Sequence, residues 1–264
     1  MALLSYVSRS PSRSRMFTAS TGVRFRFGPR RDDSPEGQVI PIGGGLLDTR
    51  SVVEVVEHLR DHGYDTILTS ALTPDEQRPF LDAGFRTQEH LRLLFADAQP
   101  DDGADRHRGV PHTTRSARRT RRTRRMRRRN LARVLDIDAA TFSPFWRFDR
   151  TALQEAMTAT PSCRSRVVSV GGPAHRHVVG YAVTGRSGDQ GFVQRLAVDP
   201  AHQGSGIGRA LLDDALDWLT RQGATTVLVN TQSDNDVALD LYRSAGFTDR
   251  PGGLTVLRLE AKPS

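Results

Sequence analysis

The stretch from Gln194 to Leu212 limits this chain most. An apolar strand runs out at Asp199-Pro200, glycines stand at 204, 206 and 208, and a helix follows. The first amides of such a helix have no intrahelical partner and sit at the positive end of its dipole, so the loop faces an anion. A diphosphate fits there without a lysine. The lysine-dependent phosphate loop is excluded, because Lys262 is the only lysine in the chain. A dinucleotide fingerprint needs an acidic residue about 20 positions on, at the end of the next strand. That strand ends near Asn230-Thr231 with no carboxylate in place. Taken alone, the loop suits equally a plain strand-to-helix turn whose glycines supply positive φ.

The flanking sequence decides between these. Ile207, Leu211, Ala215, Trp218 and Leu219 recur at helical spacing. Thr226-Val227-Leu228-Val229 is apolar on both faces, as a central strand is. Between Asn235 and Phe247, Ala238, Leu241, Tyr242 and Ala245 share one helix face.

Together these pieces resemble the GNAT superfamily of acetyl-CoA-dependent N-acetyltransferases. The matching residues are the Val198-Asp199-Pro200 strand end, Gln203-x-x-Gly206-x-Gly208, Asn235 seven residues before Tyr242, and Gly246-Phe247. The likeness spans residues 118–262 and implies an α/β fold with a mixed sheet. It implies acetyl-CoA as co-substrate and no metal. The diphosphate would lie on the turn formed by Gln203, Gly204, Ser205, Gly206, Ile207, Gly208 and Arg209. The pantetheine arm would pair with the main chain of Leu196, Ala197 and Val198 as an added strand, where the two central strands splay. By the same resemblance Asn235 contacts the cofactor arm and Tyr242 is the general acid near the sulfur, with a backbone N–H near Val198 as the oxyanion donor. By residue type alone, Asn235 also suits a helix N-cap and Tyr242 a half-buried helix aromatic. Phe145, Trp146 and Arg147 fall in the loop that forms the acceptor wall in the family; the two aromatics also suit a core plug.

The base is missing from both of its usual places in the family, which here hold Asn230 and Phe192. Deprotonating a lysine of pKa ~10.4 at pH 7 costs about 4.6 kcal/mol, against about 1.4 for an α-amine near 8. A site without a dedicated base therefore suits a weakly basic amine, a protein N-terminus or a small molecule, with proton loss through water. A binding or sensing module without turnover is the alternative that the missing carboxylate suggests.

Residues 40–98 repeat part of this pattern. Val52, Val53, Val56 and Leu59 form a helical stripe, Thr66-Ile67-Leu68 a strand, and Pro74 opens a helix closing at Ala83-Gly84-Phe85. Leu91, Leu93 and Phe95 then alternate as a strand face. The order matches that from Ala210 to Leu259, without the glycine motif or the Asn…Tyr pair, so this segment reads as a degenerate half-copy that holds no cofactor.

The remaining divisions follow from composition. Residues 1–39 read as a basic tail: Met1 to Arg31 carries no acid, a composition shared with transit peptides, and Met16 is a second possible start. Residues 99–117 read as a linker. Arg115–Arg129 holds ten arginines in 15 residues with no aromatic among them, so base stacking has no support. The block reads as a solvated approach to the first strand of the 118–262 domain, in preference to a nucleic-acid or ribosome contact. Cys163 is the only cysteine, which excludes an intrachain disulfide and fits a reducing, cytoplasmic setting. The eight histidines lack metal-ligand spacing, and His202 reads as solvent-facing. No apolar run reaches membrane-spanning length, and no membrane partner is expected.

Overall fold

The computed structural model describes residues 14–31, 34–98, 122–172 and 176–260. The linker at 99–117, the arginines from 115 to 121, and residues 1–13 of the expected tail lie outside them. Two compact units emerge: Met1–Leu94 with Asp149–Ala159 and Asn230–Ser264, and Phe95–Phe148 with Thr160–Val229.

The first unit opens with β1 (Arg15–Thr18), β2 (Arg24–Pro29) and β3 (Glu36–Gly43), an antiparallel meander. This corrects the expected basic tail over 1–39. The arginines of Arg24-Phe25-Arg26-Phe27 alternate with apolar residues, and Phe25 and Phe27 are buried among Val39, Val55 and Leu59. α1 (Thr49–Asp61) follows, then β4 (Thr66–Thr69), α2 (Pro74–Asp82) and β5 (Arg86–Asp97). α1 buries Val52, Val55, Val56 and Leu59, whereas Val53 is exposed, so the stripe is rotated from the one expected. α2 begins where the Thr73 N–H and hydroxyl both donate to Glu76, at 2.9 and 2.8 Å.

The second unit contains β6 (Thr123–Arg125) and α3 (Leu131–Thr141); the next helix, α4 (Arg150–Thr158), groups with the first unit. β7 (Ser162–Val170), β8 (His177–Ser187) and β9 (Gln190–Val198) are antiparallel, and α5 (Ile207–Arg221) leads to β10 (Thr226–Gln232), parallel to β9. The strand order here is β10-β9-β8-β7-β6. α5 lies tight on this sheet, since a Cβ at Gly180 would come within 2.9 Å of Ile207. Val168, Val179, Ala182, Val198, Ile207 and Leu211 form the core between helix and strands.

After β10 the chain adds α6 (Asp236–Ser244) and β11 (Thr248–Leu259) to the first unit, whose sheet runs β1-β2-β3-β4-β11-β5. β11 lies antiparallel to β4, with Leu259 opposite Ile67. α6 buries Leu239 and Tyr242, with Leu241 only half-buried. The fold is thus mixed α/β, with β1-β2-β3-α1-β4-α2-β5 repeating the order β7-β8-β9-α5-β10-α6-β11. The repeated unit begins at β1 rather than at residue 40.

Candidate functional site

β9 departs from regular pairing twice. Its parallel register with β10 covers only Gln190–Phe192. Its antiparallel register with β8 skips Gln194, since Val183 faces Arg195 and Thr184 faces Val193. Leu196, Ala197 and Val198 therefore keep β8 on one side and lie past the end of the β10 ladder on the other.

The strand ends at Asp199, whose carboxylate accepts from the Ala201 N–H at 3.0 Å and from Arg133. Those two contacts hold its pKa below the ordinary carboxylate value. A 3-10 turn over Pro200–His202 leads into Gly204 and Gly206, with φ of +69° and +79°. No atom lies within 4 Å of a Cβ placed on either glycine, so the positive φ alone requires glycine, and space lies before the turn. No side chain caps the first turn of α5. Ser205 donates its hydroxyl to the His202 carbonyl, and Arg209 pairs with Asp213 at 2.7 Å. Gln203 donates to the Val198 carbonyl at 3.2 Å, tying the turn to the strand. His202 is half-buried, 3.8 Å from Asp199, not fully solvent-facing.

The turn and the strand end, Leu196 to Arg209, come together in the second unit. Asn235 and Tyr242 belong to the first. Asn235 caps α6, accepting from the Ala238 N–H at 3.2 Å, and donates to Thr231 Oγ1 at 3.1 Å. Tyr242 is buried, its ring 5.7 Å from Phe247. Of the two positions that lack a base, Phe192 is buried and Asn230 half-buried. Further along the strand that carries Asn230, Gln232 donates to Glu89 at 3.3 Å.

One cluster escaped the sequence altogether. Asp138 on α3 is fully buried, and its carboxylate accepts from Arg195 Nε at 2.7 Å and Nη2 at 2.9 Å, from the Phe148 N–H at 2.6 Å, and from Tyr181. Arg195 also donates to the Trp146 carbonyl at 2.7 Å and lies between the rings of Phe142 and Phe148, 3.4 and 3.9 Å from their centroids. Burial first, then the Asp138 charge, keeps the Tyr181 phenol protonated far above its ordinary range. The network fastens the 142–148 loop to β9 immediately before Leu196. Phe145 and Trp146, half-buried on that loop, neither plug the core nor stand clear of the protein, and Arg147 is exposed. A helical Asp four residues after Val134 gives no sequence signal, because its partner lies 57 positions away. Cys163 is half-buried, and burial pushes its thiol up to about 11, away from thiolate chemistry.

Residues 131–247 match the sequence model of the acetyltransferase (GNAT) family. N-alpha-acetyltransferase RimI of Mycobacterium tuberculosis is 45% identical over 82 residues, 30% of this chain and 50% of that protein. A mycothiol acetyltransferase of Kocuria rhizophila is 42% identical over 64 residues, 23% of this chain and 21% of its own length. The chain spans about half the length of the first curated relatives it matches. Among solved structures, a tandem GNAT protein from the clavulanic acid biosynthesis pathway superposes with a TM-score of 0.63 at 16% identity, over 92% of this chain and 80% of that one. A GCN5-related N-acetyltransferase from Sphaerobacter thermophilus gives 0.57 at 15% identity, over 92% and 78%. Among the described residues no helix is long and apolar enough to cross a membrane. The strand–glycine turn–helix unit lies inside the segment, residues 131–247, that is similar to the acetyltransferase (GNAT) family.

Proposed function

We propose that this protein is an acetyl-CoA-dependent N-acetyltransferase that works in the cytoplasm on a primary amine, either a protein N-terminus or a small molecule. The observation that carries this reading is the uncapped start of α5, with open space before Gly204 and Gly206, at the end of a strand whose ladder with β10 has stopped at Phe192. Main-chain N–H groups there suit a diphosphate, and the unpaired side of Leu196–Val198 suits an extended amide-bearing arm. Acetyl-CoA, when bound, supplies a thioester carbonyl open to amine attack and a thiol leaving group.

The chain's own groups take three roles in this proposal. A main-chain N–H near Val198 donates to the developing oxyanion. Tyr242 gives a proton to the departing thiolate, and Asn235 holds the cofactor arm from the cap of α6. The Asp138–Arg195 network keeps the 142–148 loop, with Phe145, Trp146 and Arg147, as the wall against which the amine is held. With Asn230 and Phe192 at the two base positions, the amine loses its proton to water, which favours an α-amine over a lysine side chain.

The test is thiol release from acetyl-CoA against a panel of amines at neutral pH. Peptides with free N-termini should turn over faster than N-blocked peptides bearing lysine, and Tyr242→Phe should lower kcat by about 10²–10⁴-fold. Faster lysine acetylation overturns the α-amine preference, and an unchanged kcat removes Tyr242 from the chemistry. Coenzyme A binding with no thiol release for any amine would make the domain a binding or sensing module.

A further inference from the structure

We propose that the arginine face around β6 is a docking site for the phosphate backbone of duplex nucleic acid. Among the described residues β6 is the edge strand of the second unit's sheet, paired with β7 only. Arg122, Arg124, Arg125, Arg127, Arg129 and Arg176 line a cleft of about 750 Å³ with Arg166, and among the described residues no acid lines it.

Elsewhere in this unit four arginines meet carboxylates, Arg133 with Asp199, Arg164 with Asp214, Arg195 with Asp138 and Arg209 with Asp213, while Arg147 and Arg186 donate to main-chain carbonyls. The six cleft arginines named first are exposed and have no carboxylate partner among the described residues. Gathering like charges inside one screening length destabilises the compact state unless an anion covers them. Guarding an edge strand against self-pairing takes one or two charges, not a concave face drawn from a strand, the 3-10 turn at Arg128–Asn130 and the residue before β8. The backbone beneath is fixed. Arg166 donates to Thr123 Oγ1 at 3.1 Å, Thr123 donates to Asp214 at 2.8 Å, and the Arg127 N–H donates to Asn130 at 2.9 Å.

What lines the cleft also selects the partner. It has no aromatic side chain among the described residues, so single strands find no stacking platform there. Among the described residues the exposed large apolar side chains, Met16, Leu46, Val53, Leu81 and Val237, all lie in the first unit, and none offers this face a wedge for a lipid surface. A duplex presents phosphates at about one charge per 1.7 Å and asks for nothing but cations and hydrogen-bond donors.

The experiment is fluorescence anisotropy of the full chain with labelled RNA and DNA duplexes of about two helical turns, titrated with salt. Six arginines on phosphates predict a slope of log K against log salt of about −5.4. Replacing Arg124, Arg125, Arg127 and Arg129 by serine, with Arg115–Arg121 left intact, should lower that slope by about 3.6 in magnitude. Thiol release from acetyl-CoA or, if there is none, coenzyme A affinity should stay unchanged, which shows the variant folded. Binding of either duplex with this loss supports the proposal, and a preference identifies the nucleic acid. A slope that the serine variant leaves intact overturns it. So does a single strand bound as tightly as the duplex, or phosphatidylserine vesicles bound where duplexes are not.

Discussion

The two strand-to-helix turns of the repeated element order differ in what holds the helix start. After β9, Gly206 leads into α5 with no side-chain cap. After β3, Gly43 and Gly44 also take positive φ, but Asp48 caps α1, accepting from the Ser51 N–H at 2.8 Å and from its hydroxyl. A carboxylate there satisfies the amide and places negative charge where an anion would sit. The strands differ as well. Counted from the first parallel pair of each copy, Glu36 with Thr66 and Gln190 with Thr226, Pro41 stands where Arg195 stands. Arg195 is anchored by Asp138; Pro41 has neither a charge nor an N–H to offer. One turn is open behind a braced strand, and the other is capped by its own carboxylate.

Asp138→Asn tests the brace and should have the largest effect. Removing that charge leaves Arg195, 9% exposed, without its counter-ion, at a cost of about 3–5 kcal/mol in urea denaturation. A loss below about 1 kcal/mol would mean that β9 does not depend on the network. Gly206→Asp gives α5 the feature that closes α1. Coenzyme A affinity measured by calorimetry should fall about a hundredfold, some 2.7 kcal/mol, and the melting temperature should drop by a few degrees, because an Asp at a φ of +79° is strained. Undiminished affinity would remove the turn as the diphosphate seat.

Asp48→Ala is the smallest change. Hydrogen bonds from Ser51 hold the Asp48 carboxyl below its ordinary value. A depressed folded pKa contributes stability above the ordinary carboxylate range and loses it as pH falls through the folded value. The variant should melt a few degrees lower at neutral pH, with the gap to the parent closing in acid and coenzyme A stoichiometry unchanged. A second binding equivalent would show that Asp48 had been masking a working turn.

The sequence announced the glycine turn because its signals are local: a strand end, glycines at alternate positions and a 3.6-residue stripe all fall within a few turns of chain. It announced the helix–strand–helix order of the first copy for the same reason. Asn235 was legible as a cap, and the structure makes it one. The first three strands were hidden by composition, since arginines on the outward side of β2 resemble a basic tail when only charge is counted. Val53 and Leu241 misplaced the buried faces of α1 and α6 because neighbouring apolar residues, Val55 and Leu239, compete for the same face. Asp138 could not be read at all. One of the two acids on this helix becomes a buried anchor only through partners that the chain brings back from Phe148, Tyr181 and Arg195.

The pairing of Leu259 with Ile67 fixes an order of events during synthesis. A ribosome releases β4 long before it makes β11, so the growing polypeptide carries an unfinished edge through most of translation. Such an edge invites association with neighbouring nascent chains, and its late closure makes folding slow through high contact order. Cutting the gene between its two copies would leave the amino-terminal fragment permanently in that state.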